Sequence, residues 1–174
     1  MLEALLQRPN SIVIAGVRDP SHSTSKDLST LNVASGSKVI VVKIDSLSDT
    51  SAKAAIHEIS SKHGITEIDT VIANAGIANY YGLAAETPLS EVREHFEVNV
   101  IGVLALFQAV LPLLKKSSKP IFVIISSFVA SIGDMEKFPL QSTAYGASKA
   151  AVNYVARKIH FENPNLIAFP ISPG

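Results

Sequence analysis

A tyrosine and a lysine stand four positions apart in Tyr145-Gly-Ala-Ser-Lys149. On a helix, positions i and i+4 share a face, so this spacing sets a phenol beside an ammonium. A free phenol titrates near about 10 and is a poor acid at neutrality. A neighbouring cation favours the phenolate and brings the group into working range for proton transfer. Ser127 closes the apolar run that precedes this pair, and its hydroxyl could hold a carbonyl oxygen for protonation by Tyr145. Two fixed residues are a weak signal alone. Their place after Ser126-Ser127 strengthens it.

Other positions could complete such a site. Asn74-Ala75-Gly76 follows the apolar run Thr70–Ala73. Gly76 admits close approach of the backbone to a flat ligand, and Asn74 can bridge neighbouring strands or bond a cofactor. A plain strand-end turn is the competing reading. Asn99 is a polar residue in an apolar helical stretch, either a satisfied structural amide or part of the site. Arg18 follows the run Ser11–Val17, with no acid at that tip before Asp19. In a dinucleotide site an acid there receives the ribose hydroxyls, whereas an arginine accommodates a 2′-phosphate. A solvated arginine opening a loop is the alternative. His22, His57, His63, His95 and His160 show no metal-like pairing and no acidic cluster beside them. No metal site is expected, and these side chains read as surface or core residues.

The elements that must position these residues alternate along the chain. Ser11–Val17, Lys38–Ile44, Thr70–Ala73, Pro120–Ser126 and Asn165–Phe169 read as strands. Their continuous apolarity predicts a parallel sheet covered on both faces. Ser48 is placed to cap a helix running to His63 and closed by Gly64. Thr87, with Pro88 at the first helical position, opens a long helix. Its predicted apolar face runs through Leu89, Val92, Phe96, Val100, Val103, Leu104 and Phe107. A further helix covers about Thr143 to Glu162 and ends at Asn163-Pro164, and Ser23–Leu31 carries a weaker helical pattern. Strands alternating with helices argue for right-handed crossovers and an open, doubly wound α/β sheet. Ligands of such sheets bind at the carboxyl ends of the strands, where Arg18, Asp45, Asn74–Gly76, Ser127 and Pro173-Gly174 fall.

Composition narrows the function classes. The 174 residues suit a single domain, 1–174, and the 47% apolar and 17% charged content excludes a disordered tail. Fifteen basic residues balance fifteen acidic ones. Binding to nucleic acid or an anionic membrane therefore has no electrostatic support. The absence of cysteine excludes disulfide scaffolds, zinc ribbons, iron–sulfur sites and thiol nucleophiles. Val98–Leu114 is 17 residues long and strongly polar only at Asn99 and Gln108. A spanning helix needs about 20 apolar residues, so this run is expected to be a buried helix, at a core or subunit interface. No targeting signal is legible in MLEALLQRPN, and a cytoplasmic chain is expected.

In this order, Asp45, Asn74-Ala75-Gly76, Asn99 within NVIG, Ser127, Tyr145-Gly-Ala-Ser-Lys149 and Pro173-Gly174 resemble the short-chain dehydrogenase/reductase family. The match covers essentially the whole chain. The surrounding IANAGIANYYG, REHFEVNVIG, AYGASKAAVNY and AFPISPG are similar to fungal ketoreductases of the norsolorinic acid ketoreductase type. The resemblance implies a Rossmann-like fold, NADP(H) as cofactor and reduction of a hydrophobic, polyketide-like ketone in secondary metabolism. It implies a tetrad of Asn99, Ser127, Tyr145 and Lys149. Tyr145 would protonate the carbonyl oxygen, Lys149 would lower the tyrosine pKa and bind the nicotinamide ribose, Ser127 would orient the substrate, and Asn99 would hold a relay water. Arg18, Asp45, Asn74, Ala75, Gly76, Tyr145, Lys149, Pro173 and Gly174 would form the cofactor site, with Asp45 at the adenine and Pro173-Gly174 against the nicotinamide. Family members commonly pair through two long helices, here near 88–116 and 143–162, which implies a homodimer or homotetramer.

Two departures from the family pattern set further expectations. The family opens with a strand and a TGxxxGxG loop that seats the pyrophosphate at a helix N-terminus. Here Met1 falls partway into the following helix, so the first strand, that loop and, at the other end, the last strand are expected to be missing. Such a chain would hold NADPH weakly. The Ser127–Tyr145 interval is also longer than usual, with Asp134-Met135-Glu136-Lys137-Phe138-Pro139 as a substrate-side loop or an incidental insertion. A truncated, redox-inactive protein or gene fragment serving as a dimerising or interaction module, and a non-redox isomerase or cyclase that keeps Tyr145, are the alternatives.

Overall fold

The computed structural model describes residues 2–137 and 139–173. The chain divides into two compact units, Met1–Gly64 and Ile65–Gly174.

In the first unit, helix α1 (Leu2–Leu6) leads into strand β1 (Ile12–Val17), a short helix α2 (Ser23–Lys26) continued by a 3-10 turn, strand β2 (Lys38–Lys43) and helix α3 (Ser51–His63). β1 and β2 are parallel, in register from Ile12 opposite Lys38 to Val17 opposite Lys43. Their buried contacts come from Ile40 and Val42 of β2, Leu6 of α1, and Ala52, Ala55 and Ile59 of α3. Three of those four helical side chains are spaced at helical intervals on α3, which explains why that segment coils and packs. Gly64 ends α3 as expected: at φ 67° it adopts the left-handed conformation, and its N–H caps the Ile59 carbonyl. Ser48 does not cap the other end. The chain leaves β2 through a turn in which Ser48 N–H donates to the Asp45 carbonyl, and the helix begins three residues later at Ser51.

The second unit contains two successive βαβ crossovers. Strand β3 (Thr70–Ala73) leads to helix α4 (Leu89–Phe96), a π-helical turn at Glu97–Ile101, helix α5 (Gly102–Leu114) and strand β4 (Ile121–Ile125). Helix α6 (Thr143–Glu162) then returns the chain to strand β5 (Ile167–Ile171). The order is β3-β4-β5, all parallel, with Ala73 opposite Ile124 and Ile125 opposite Ile171. One sheet face is sealed: Phe122 and Ile124 are wholly buried, and Phe107 of α5 meets Phe122 edge-to-face at 5.3 Å. The alternate residues Ile121, Val123 and Ile125 keep partial exposure. Continuous apolarity therefore overstates coverage of the second face within this unit.

Two local expectations shift. Pro88 is the N-cap of α4, with extended backbone, and Thr87 instead donates its hydroxyl to the Leu83 carbonyl. β5 begins two residues later than the apolar run, because Asn163–Leu166 first forms a turn. The apolar run Leu89–Leu114 is one helical segment long and apolar enough to cross a bilayer by composition. Here it carries a buried stripe of Val98, Val103, Phe107, Val110 and Leu114, topped by the buried polar side chains His95 and Asn99.

Candidate active site

The carboxyl ends of β3 and β4 and the start of α6 bring together Gly76, Asn99, Tyr145, Ser148 and Lys149. Asn99 sits in the π turn and is wholly buried. Its Oδ1 accepts from Ile77 N–H at 2.8 Å, and its Nδ2 donates to the Ile77 carbonyl at 3.0 Å and to Ser148 Oγ at 2.9 Å. Both amide hydrogens are thus committed. Ser148 Oγ in turn donates to the Tyr145 carbonyl at 2.7 Å. One amide therefore ties the loop after β3 to the first turns of α6.

Gly76 is where that loop passes closest. A Cβ at this position would stand 3.0 Å from Asn99 Oδ1 and 3.3 Å from Lys149 Nζ. Its bare backbone leaves both side chains accessible from the loop. Asn74, Ala75 and Gly76 are themselves exposed.

Lys149 is 4% exposed, and its ammonium donates to the Ile125 carbonyl at 2.7 Å. Among the described residues it has no acidic partner. Burial alone lowers its pKa from the usual lysine range. Its Nζ lies 5.7 Å from the centre of the Tyr145 ring, as the i, i+4 spacing requires. The other neighbour of that ring is His95, edge-to-face at 6.4 Å between centroids.

Ser127 is the N-cap of a 3-10 turn, Phe128–Ala130, and its Oγ accepts weakly from Val129 N–H at 3.4 Å. The turn packs against α6 at Gly146, where an added Cβ would stand 3.2 Å from the Val129 carbonyl. Gly146, directly after Tyr145, thereby admits the Ser127 turn to the tyrosine's end of the helix. Ser126, one residue earlier, is buried and donates to Asn153 Oδ1 at 2.6 Å.

The remaining candidates lie on other segments. Arg18 and Asp45 lie in the first unit, just past the carboxyl ends of the paired strands β1 and β2. Arg18 is exposed; Asp45 is half-buried, its Oδ1 accepting from Leu47 N–H and its own N–H donating to Ser51 Oγ. Pro173 follows β5 and is exposed. Gly174 and Phe138 lie outside the described residues. Around Phe138, Asp134 accepts from Ser131 and pairs with Lys137 at 2.6 Å.

Sequence reasoning missed Ser148, His95 and Gly146. Ser148 was legible in principle. A buried Asn99 needs an acceptor, and Ser148 is the polar residue between Tyr145 and Lys149. The buried position of His95 had no comparable signal.

The chain matches the short chain dehydrogenase family over residues 2–167. It is 45% identical to norsolorinic acid ketoreductase nor1 of Dothistroma septosporum and 43% identical to norsolorinic acid ketoreductase of Aspergillus parasiticus. Both alignments cover 100% of this chain, which spans 66% and 65% of those proteins' lengths. Among solved structures, NADPH-bound carbonyl reductase from chicken fatty liver superposes with a TM-score of 0.85 at 28% identity. That alignment covers 99% of this chain and 71% of the reductase.

Proposed function

The chain belongs to the short chain dehydrogenase family, and from that premise we propose that it is an NADPH-dependent ketoreductase acting on a hydrophobic, polyketide-like ketone. The observation that carries this reading is the buried, acid-free ammonium of Lys149 beside the Tyr145 ring, reached by the bare backbone of Gly76. A structural lysine would be paired or would reach solvent. This one faces a single carbonyl and keeps N–H donors for a hydroxylated ligand such as a ribose.

When bound, the nicotinamide would supply the hydride to the carbonyl carbon. Tyr145 gives its phenolic proton to the carbonyl oxygen, so that C=O becomes CH–OH. Lys149 stabilises the phenolate left behind. Ser127 donates its hydroxyl to the same oxygen and orients the substrate. Asn99 fixes the Ile77 backbone and Ser148. A relay water there would have to use the remaining lone pair of Oδ1 or the main chain, since both amide hydrogens are spent. Arg18 is the candidate for a 2′-phosphate, with Asp45 at the adenine and Pro173-Gly174 against the nicotinamide. Exposed Tyr81, Leu83, Ile132 and Leu140 line two segments joined by the Gly82–Ser142 bridge and favour an apolar substrate. Exposed Ile101 at the end of the π turn, Leu104 on α5 and Tyr154 and Phe161 on α6 support pairing of two or four copies through these helices. A cytoplasmic location completes the reading.

The test is a fluorescence titration with NADPH followed by ketone-dependent NADPH oxidation, in parallel on the wild type and Tyr145→Phe. The expected result is saturable binding to both and turnover reduced by about 10²–10⁴-fold in the variant, the size of a lost general acid. Equal turnover in the two proteins would remove Tyr145 from the mechanism.

A further inference from the structure

His95 is wholly buried on α4, one turn after Glu91. Its Nδ1 lies 2.7 Å from the Glu91 carbonyl oxygen. A carbonyl only accepts, so Nδ1 carries the hydrogen, and in that tautomer Nε2 is the acceptor nitrogen of the ring. That Nε2 is buried and, among the described residues, has no hydrogen-bond partner. The same holds for Oε2 of Glu91, on the same helical face. Two buried acceptors one turn apart cannot satisfy each other. The ring that bears one of them packs edge-to-face on Tyr145.

We propose that one buried water donates a hydrogen to each of Glu91 Oε2 and His95 Nε2, and that this unit makes His95 a positioning residue for the Tyr145 ring. A water is the smallest species that offers two donors at once, and a polar site with two or more partners is where buried water resides. Fixed at Nδ1 by the main chain and at Nε2 by the water, the imidazole has one orientation. Its edge then sets the plane of the phenol, on the ring that Lys149 also approaches. The water does not depend on the ketoreductase reading; its effect on turnover does.

The experiment is histidine-ring nitrogen NMR on the full chain, with His95 assigned through His95→Gln. A second spectrum labels the tyrosine rings, with Tyr145 assigned through Tyr145→Phe among the four tyrosines. The expected wild-type signature is the Nδ1–H tautomer with a hydrogen-bonded Nε2. Glu91→Leu should shift the Nε2 resonance and the Tyr145 ring and leave Tyr154 unmoved, whereas Glu91→Gln, which keeps an acceptor, should restore both. A His95 found as the Nε2–H tautomer overturns the proposal whether or not any variant folds. So does a folded Glu91→Leu with unchanged Nε2 and Tyr145 signals. Where ketone reduction is measurable, Glu91→Leu should lower kcat about tenfold or more through misplacement of Tyr145, with NADPH affinity unchanged. Parallel loss of kcat and affinity would mark a structural role alone.

Discussion

Gly76→Ala tests whether the packing of the loop against Asn99 and Lys149 is as tight as the geometry requires. The new methyl would stand 3.0 Å from Asn99 Oδ1 and 3.3 Å from Lys149 Nζ. Lys149 ends a flexible side chain and can yield. Asn99 cannot, because three hydrogen bonds hold its amide. Overpacking of this kind costs about 1–3 kcal/mol. Gly76 has no positive φ, so alanine also gains roughly 0.4–1 kcal/mol by restricting the unfolded chain. The net is a loss of about 1–2 kcal/mol. Gly133→Ala is the control: its Cβ meets nothing within 4 Å and its φ is likewise permissible, so it should gain those few tenths.

The assay can be confined to the unit that holds the site. All four tyrosines and all seven phenylalanines lie after Gly64, and there is no tryptophan, so near-ultraviolet circular dichroism reports the second unit. Urea unfolding followed by that signal should separate the two variants by about 2 kcal/mol. Equal midpoints for Gly76→Ala and Gly133→Ala would refute the close approach of the loop to Asn99, and with it the account of why glycine stands there.

Ser148→Ala leaves a buried Asn99 N–H without an acceptor. It should destabilise the second unit by about 1–3 kcal/mol in the same urea experiment, while Ser148→Thr, which keeps the oxygen, should recover part of the loss. Lys149 carries a pKa lowered from 10.5 by burial. Between the lowered value and 10.5 the unfolded chain binds more protons than the folded one. This group's contribution is therefore complete above 10.5 and is lost as pH falls through the folded pKa. The stability of wild type relative to Lys149→Met should rise with pH across that window, and a flat difference would show that the ammonium is not desolvated. Arg18→Ala should weaken NADPH by roughly 10–100-fold, the size of one or two charge-assisted bonds, and leave NADH unchanged. Equal losses for both would take the 2′-phosphate away from Arg18.

How far the sequence could be read depends on which interactions are local. The Tyr145–Lys149 pairing is a property of one helix and needed only the i, i+4 rule. Gly64 as a helix stop was legible for the same reason. The strands were legible as apolar runs because parallel pairing buries β-branched side chains. What escaped were contacts between segments distant in the chain. Asn99 with Ser148 is one, and the Ile125 carbonyl that holds Lys149 is another. Ser48 illustrates a local failure. Its residue type suits a cap, but the turn out of β2 uses its backbone first.

The predicted apolar face of the long helix holds only in part: Val103 and Phe107 are buried, Val92, Phe96 and Val100 half-buried, and Leu104 exposed. At 100° per residue, His95, Asn99 and Val103 drift by roughly 80° over two turns of a straight α-helix. Leu89, Val92, Phe96 and Val100 span a similar arc of a straight helix, roughly 80°, yet Leu89 is 68% exposed. The π turn at Glu97–Ile101 reduces that drift. Its wider i→i+5 bonds advance less per residue, which turns the stripe back so that His95 and Asn99 stand above Val103 and Phe107. The cost is a less regular helix at one turn. The gain is that a buried amide reaches Ile77 and Ser148 while the imidazole reaches Tyr145. A substitution that restored α-helical winding here would keep the apolar core and lose the polar contacts above it. Deletion of Val100, which removes the extra residue, should therefore leave helix content near wild type while releasing the Asn99 bonds. If the Tyr145 ring resonance stayed in place after that deletion, the π turn would be incidental to the site.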